Sequence, residues 1–206
     1  MYRVIATGST GNAVLYHDTI LVDCGVPYAR LRPFMKNLQI VLLTHAHGDH
    51  FNEATLSRLC AERPALRIGC GQWMLERVQG LRNVDVYEIG KVYNYGLFQI
   101  CPVKLYHDVQ NCGYRIFKGQ TRIFHATDTA HLQGIAAKGY DLYAIESNYD
   151  EETVFELIEQ KHRRGEFAHQ RGAVNSHLSE QAARDFFFNN KGQHSKMLRL
   201  HESQSL

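Results

Sequence analysis

Three histidines and an aspartate crowd into His45-Ala46-His47-Gly48-Asp49-His50, a set of donors suited to holding metal ions. With 12 histidines in 206 residues, chance would produce such a run about once in several hundred sequences of this composition. Alternate positions of an extended backbone point to the same side, so His45 and His47 can share one ion. The kink at Gly48 lets Asp49 and His50 turn toward a second. Nitrogen and carboxylate donors of this kind suit zinc, with manganese or iron as alternatives.

The run before it, Gln39-Ile40-Val41-Leu42-Leu43, is apolar and β-branched and reads as a buried strand. The donors therefore sit on a loop at a strand's C-terminal edge, where a rigid sheet can present them to solvent. Other strand ends offer partners. His107 follows the strand over 98–105, Asp128 follows the strand over 122–124, and His201 follows the short run over 196–200. Further strands are expected over 2–6, 13–16, 20–23, 84–89 and 113–117. Helices are expected from Asn52 to about Glu62, from Asp150 to Arg164 and after Ser179, where capping residues open the helix, and over 71–79. Gly8-Ser9-Thr10-Gly11-Asn12 reads as a turn, because a phosphate-binding loop should open a helix and here a strand follows. The basic run Lys161-His162-Arg163-Arg164 reads as a helix C-terminus, with a phosphate-facing patch as the sharper alternative.

Composition supports one core and one domain spanning residues 1–206. A net charge of +2 provides no strong global field, so any contact with nucleic acid must be local. Five scattered cysteines without a C-x-x-C pair support neither a disulfide framework nor a cysteine-zinc site. No signal peptide or long apolar span is visible, so the expectation is a cytoplasmic protein with no membrane association.

Several segments recur in the order found in one family. Gly8 to Asn12, Leu21-Val22-Asp23-Cys24-Gly25, the histidine motif, His107-Asp108, Ala126-Thr127-Asp128-Thr129, Glu146-Ser147-Asn148 and His177-Leu178-Ser179 together resemble the metallo-β-lactamase-fold hydrolases. Within them the chain looks most like the YycJ-like nucleases and the phage anti-Pycsar enzymes that hydrolyse cyclic nucleotides, with RNase Z more distant. The resemblance implies an α/β fold, the αββα sandwich, as a single domain with two metal ions, zinc first and manganese as the alternative. It assigns His45, His47 and His107 to one metal, Asp49, His50 and His201 to the other, and Asp128 to a bridge between them. It also implies that Asp23 steadies a metal-binding histidine.

The chemistry implied is attack of activated water on a phosphodiester. Asp49 would orient the water, and His177 would protonate the leaving alkoxide. A chain without a long RNA-binding arm favours a small nucleotide substrate, best a 3′,5′-cyclic nucleotide, with Tyr106, Tyr114, Tyr149 or Phe51 as base-stacking candidates. The alternatives are a single-strand DNA exonuclease of the YycJ type, binding single-stranded nucleic acid, and a non-catalytic metal-binding module. Little chain follows His201, so cover for the site is expected from a second subunit of a homodimer.

Overall fold

The computed structural model describes residues 1–167 and 170–202, and the chain divides into two compact units, Met1–Ile89 and Gly90–Leu206. The first unit holds β1 (Tyr2–Ala6), β2 (Ala13–Tyr16), β3 (Ile20–Val22), α1 (Tyr28–Leu31), β4 (Ile40–Leu43), α2 (Glu53–Glu62), β5 (Arg67–Gly71) and β6 (Val84–Tyr87). Its sheet runs β1-β2-β3-β4-β5-β6. The first three strands pair antiparallel, and β3 to β6 pair parallel.

The second unit holds β7 (Tyr93–Asn94), β8 (Gln99–Tyr106), β9 (Gln110–Lys118), β10 (Thr121–Ala126), β11 (Leu142–Glu146), α3 (Glu151–Arg163), α4 (Gln170–Ser176), α5 (Glu180–Asn190) and β12 (Lys196–Leu200). Its sheet runs β12-β11-β10-β9-β8-β7, with β7 to β10 antiparallel and β10, β11 and β12 parallel. The result is a mixed α/β chain with two six-stranded sheets.

Each unit has its own core. In the first, Leu15, Leu21, Val41, Leu43, Leu56, Leu59 and Ile68 form a buried cluster. β4 is buried at every position, as its unbroken apolar run requires of a strand covered on both faces. In the second, Phe124, Tyr143, Ile145, Ala183 and Phe187 pack together, and α5 contributes through its apolar stripe.

The helix signals act as their residue types predict. The side chains of Asn52, Asp150 and Ser179 accept from the backbone N–H of Thr55, Thr153 and Ala182, satisfying donors that the first turn leaves open. The segment expected to be a helix over 71–79 is a 3-10 helix over Gln72–Val78, with Trp73 bound through its indole N–H to the Thr44 carbonyl. Strands β5, β7 and β11 lie outside the strands expected from the sequence. The run Lys161 to Arg164 does close α3, where basic side chains meet the helix's negative end, and Arg163 pairs with Glu159. Four of the cysteines are buried and Cys60 is partly so, all as free thiols. Among the described residues no helix is long and apolar enough to cross a membrane.

Candidate metal centre

In the first unit β4 ends at Leu43, and Thr44 and the histidine motif follow immediately. His45 Nε2 and His47 Nδ1 lie 3.1 Å apart, with ring planes at 80°. Two nitrogens bound to one tetrahedral zinc at about 2.0–2.1 Å would be separated by about 3.3 Å, so this pair fits a shared ion. A second pair follows Gly48, with His50 Nε2 3.5 Å from Asp49 Oδ2.

A buried carboxylate sets the orientation of His50. Asp23 Oδ2 accepts from His50 Nδ1 at 2.7 Å, while Asp23 Oδ1 accepts from the Thr44 backbone N–H at 2.9 Å and from its hydroxyl at 3.1 Å. With the proton held on Nδ1, the Nε2 lone pair is left for a metal. Burial raises the Asp23 carboxyl above its ordinary value, and the charge and hydrogen bond of His50 oppose that rise. The loop itself is clamped. Cys24 N–H donates to the His50 carbonyl at 3.0 Å and Asn12 N–H to the Asp49 carbonyl at 2.6 Å. A Cβ on Gly25 would lie 1.9 Å from the Asp49 carbonyl oxygen, so only glycine permits this approach.

The second unit gathers its donors from four strand ends. His107, just after β8, donates from Nδ1 to the Ser176 carbonyl at 2.8 Å, which turns Nε2 toward Asp108 Oδ1 at 3.0 Å and Asp128 Oδ1 at 3.9 Å. His201 Nε2 lies 3.5 Å from Asp128 Oδ1, and Asn148 Nδ2 is 3.0 Å from His201 Nδ1. Donor atoms of Asp128, Glu146, His177 and His201 all fall within 4.8 Å of one another. Asp23, Asp128 and His201 each follow a parallel strand, and each has positive φ, +60°, +56° and +52°. That left-handed backbone is uncommon outside glycine, and here it recurs at residues that carry the site chemistry.

His177 lies beside this cluster. Its segment is drawn in by the bridge from Tyr149 to Ser179 and by the Asn148 N–H bond to the Leu178 carbonyl at 2.9 Å. His177 Nδ1 donates to Glu146 Oε1 at 2.5 Å and lies 3.5 Å from Asp128 Oδ1. Burial alone would lower the imidazole's pKa. The hydrogen bond and charge of Glu146, with the charge of Asp128, outweigh that and raise it above its ordinary value.

The structure thus pairs His45 with His47 and Asp49 with His50 in the first unit, and gathers His107, Asp128, His177 and His201 in the second. Three residues had no role assigned from sequence. Glu146 is fully buried and holds His177. Asn12 places Nδ2 2.8 Å from His50 Nε2 and 3.2 Å from Asp49 Oδ2. Asn148 braces His201. The legible signal for Glu146 was a carboxylate closing an otherwise apolar strand. Of the base-stacking candidates, Tyr114, Tyr149 and Phe51 are buried, and Tyr106 is exposed with its ring stacked on His131 at 4.2 Å.

Comparisons with known proteins agree with this fold. A UPF0173 metal-dependent hydrolase of Thermococcus onnurineus is 25% identical over 146 residues, covering 63% of this chain and 62% of the relative, so the chain spans about three fifths of that protein's length. The metallo-β-lactamase fold protein YhfI of Bacillus subtilis superposes with a TM-score of 0.75 at 19% identity, over 98% of this chain and 86% of that one. Human tRNase Z, short form, superposes with a TM-score of 0.69 at 16% identity, over 98% and 92%. These likenesses establish the metallo-β-lactamase fold. The model of the beta-lactamase superfamily domain matches residues 18–184, and the chain belongs to that superfamily.

Proposed function

We propose that the protein is a metal-dependent hydrolase of nucleotide phosphodiesters, best of 3′,5′-cyclic nucleotides, acting in the cytoplasm. In this reading His45, His47 and His107 hold one divalent ion, Asp49, His50 and His201 hold a second, and Asp128 serves both, with zinc as the first choice and manganese as the alternative. The donor pairs within each unit fit such ions in type and spacing. When bound, the ions supply Lewis acidity and activation of water. Asp49 orients the attacking water. His177, gripped at Nδ1 by Glu146, keeps Nε2 to deliver a proton to the departing oxygen.

The observation that carries the reading is the Glu146–His177 pair at 2.5 Å beside the Asp128 and His201 donors. An alkoxide leaves poorly without a proton, so an acid next to metal ligands suits a sugar phosphodiester. The UPF0173 relative is named a metal-dependent hydrolase, which supports metal-dependent hydrolysis, and the human neighbour is named a tRNase, which favours a phosphodiester as the bond cleaved.

The test compares leaving groups. His177→Ala should lower kcat on cyclic nucleotides by about 10²- to 10⁴-fold, with little change on bis-p-nitrophenyl phosphate, whose leaving group needs no proton, and with metal content unchanged. Equal losses on both substrates would remove the acid role. A panel of cyclic nucleotides and 5′-labelled single-stranded DNA sets the substrate class: progressive DNA shortening without cyclic-nucleotide turnover would move the protein to the exonucleases. Light scattering checks the proposed homodimer, and a monomer would remove it.

A further inference from the structure

Next to His177 the second unit carries a groove that neither the metal donors nor the acid uses. Its volume is about 340 Å³, and Leu132, Gln133, Leu178, Ala182, Asp185 and Phe186 line it. Clefts of about 300–1,000 Å³ take small ligands, and this one is at the small end, the scale of a nucleoside rather than a polymer.

The groove is tied to the acid through one carboxylate. Glu146 Oε2 accepts from the Thr129 backbone N–H at 2.9 Å and from the Leu178 N–H at 3.2 Å, while its other oxygen holds His177. The inner ends of both walls are therefore fixed by the group that positions the acid. One wall continues through Ala130 and Leu132, and the other is a face of α5. Ala182, Asp185 and Phe186 recur at the spacing that places side chains on one side of a helix.

Each of these three residues has a distinct part. Ala182 is small and leaves the space open. Phe186 stacks one face on Phe124 at 5.4 Å and 28°, which holds its ring rigidly at the groove. Asp185 is exposed and forms no hydrogen bond or ion pair among the described residues, so its carboxylate is available as an acceptor. Across the groove, Gln133 is also exposed, and His131 Nδ1 is shielded from solvent with no hydrogen-bond partner.

We infer that this groove is a nucleobase subsite for the nucleoside whose ester oxygen departs from phosphorus, with Phe186 as the stacking platform and Asp185 reading the base edge. An acceptor-only carboxylate selects a base with adjacent donors, and guanine presents a ring N–H beside an exocyclic amino group. Guanine is thus preferred over uracil, which offers a single donor. Placement of the base on the leaving side rests on the phosphodiesterase reading, because His177 protonates the oxygen that departs.

The test is equilibrium binding to the zinc-loaded protein, by calorimetry, of guanosine 5′-monophosphate, inosine 5′-monophosphate, uridine 5′-monophosphate and ribose 5-phosphate. Guanosine 5′-monophosphate should bind about 10- to 100-fold more tightly than ribose 5-phosphate, the range a stacked base contributes, with the inosine form between them. Asp185→Asn should erase the preference for guanosine over inosine. Ala182→Phe should bring all four ligands to the ribose 5-phosphate level, with its fold checked by circular dichroism. Equal binding of all four ligands by the unaltered protein, or an undiminished guanosine preference in Asp185→Asn, would overturn the subsite. Turnover of bis-p-nitrophenyl phosphate by the unaltered protein tests the catalytic reading separately, because that diester carries no base.

Discussion

The two units use the same device for different ends. In each, a buried carboxylate at the end of a parallel strand grips a histidine by Nδ1: Asp23 on His50 at 2.7 Å in the first, Glu146 on His177 at 2.5 Å in the second. In the first unit the gripped ring is a proposed metal ligand, and the carboxylate fixes which nitrogen faces the ion. In the second the gripped ring is the proposed acid, and the carboxylate holds its proton at higher pH. A carboxylate–histidine pair alone does not reveal its task. The neighbours of the free nitrogen decide it.

The comparison can be broken first at the donors themselves. His45→Ala with His47→Ala in the first unit, and Asp128→Ala in the second, should each lower hydrolysis by about a thousandfold or more, since metal Lewis acidity is worth several kcal/mol. Elemental analysis should show metal lost in both. If one variant kept full metal and rate, that unit would not contribute to the centre.

The two gripping carboxylates should then separate by readout. Glu146→Gln keeps the shape but removes the charge that raises the His177 pKa. The acid must be protonated to act, so activity that depends on it is present below its raised pKa and lost as pH rises through it. The variant should therefore lose activity at a lower pH than the parent, with metal content unchanged. Asp23→Asn should do the reverse, weakening metal affinity by about 10- to 100-fold while leaving the basic limb of the pH profile in place. A shift of that limb in Asp23→Asn would erase the distinction.

The smallest expected effect lies in the helix that follows His177. Ser179→Ala removes the cap bond to the Ala182 N–H at 3.0 Å and should cost about 1 kcal/mol of stability, read as a lower midpoint in urea. Because Ser179 Oγ also donates to Glu151 Oε1 at 2.5 Å, a loss of zero would show that neither bond is made in solution.

Legibility in the sequence also divides along the two units. The first unit's donors lie in one contiguous motif after an unmistakable apolar strand, so His45, His47, Asp49 and His50 could be read directly, and Asp23 through the family resemblance. The second unit collects single residues from separate strand ends, and His107, Asp128, His177 and His201 became convincing only together. Glu146 was visible only as a carboxylate closing an apolar run within a family segment, and without spacing to a partner that signal assigns it no role. Strand β11 has no alternation to mark it, being buried at every position. β5 was masked by its glycines, yet a Cβ on Gly69 would lie 2.4 Å from the Tyr87 hydroxyl oxygen. The close approach of the Tyr87 ring to Gly69 is invisible in the local sequence.

The most direct test of the account is the initial rate on bis-p-nitrophenyl phosphate before chelation, after it and after zinc or manganese is restored, with metal content measured on the same samples. The account predicts two ions per chain, a rate abolished by the chelator, recovery on adding metal back, and neither rate nor recovery in Asp49→Ala with His50→Ala. Hydrolysis that persists at full rate in the metal-free protein, or a fully loaded protein without activity on any phosphodiester, would contradict it.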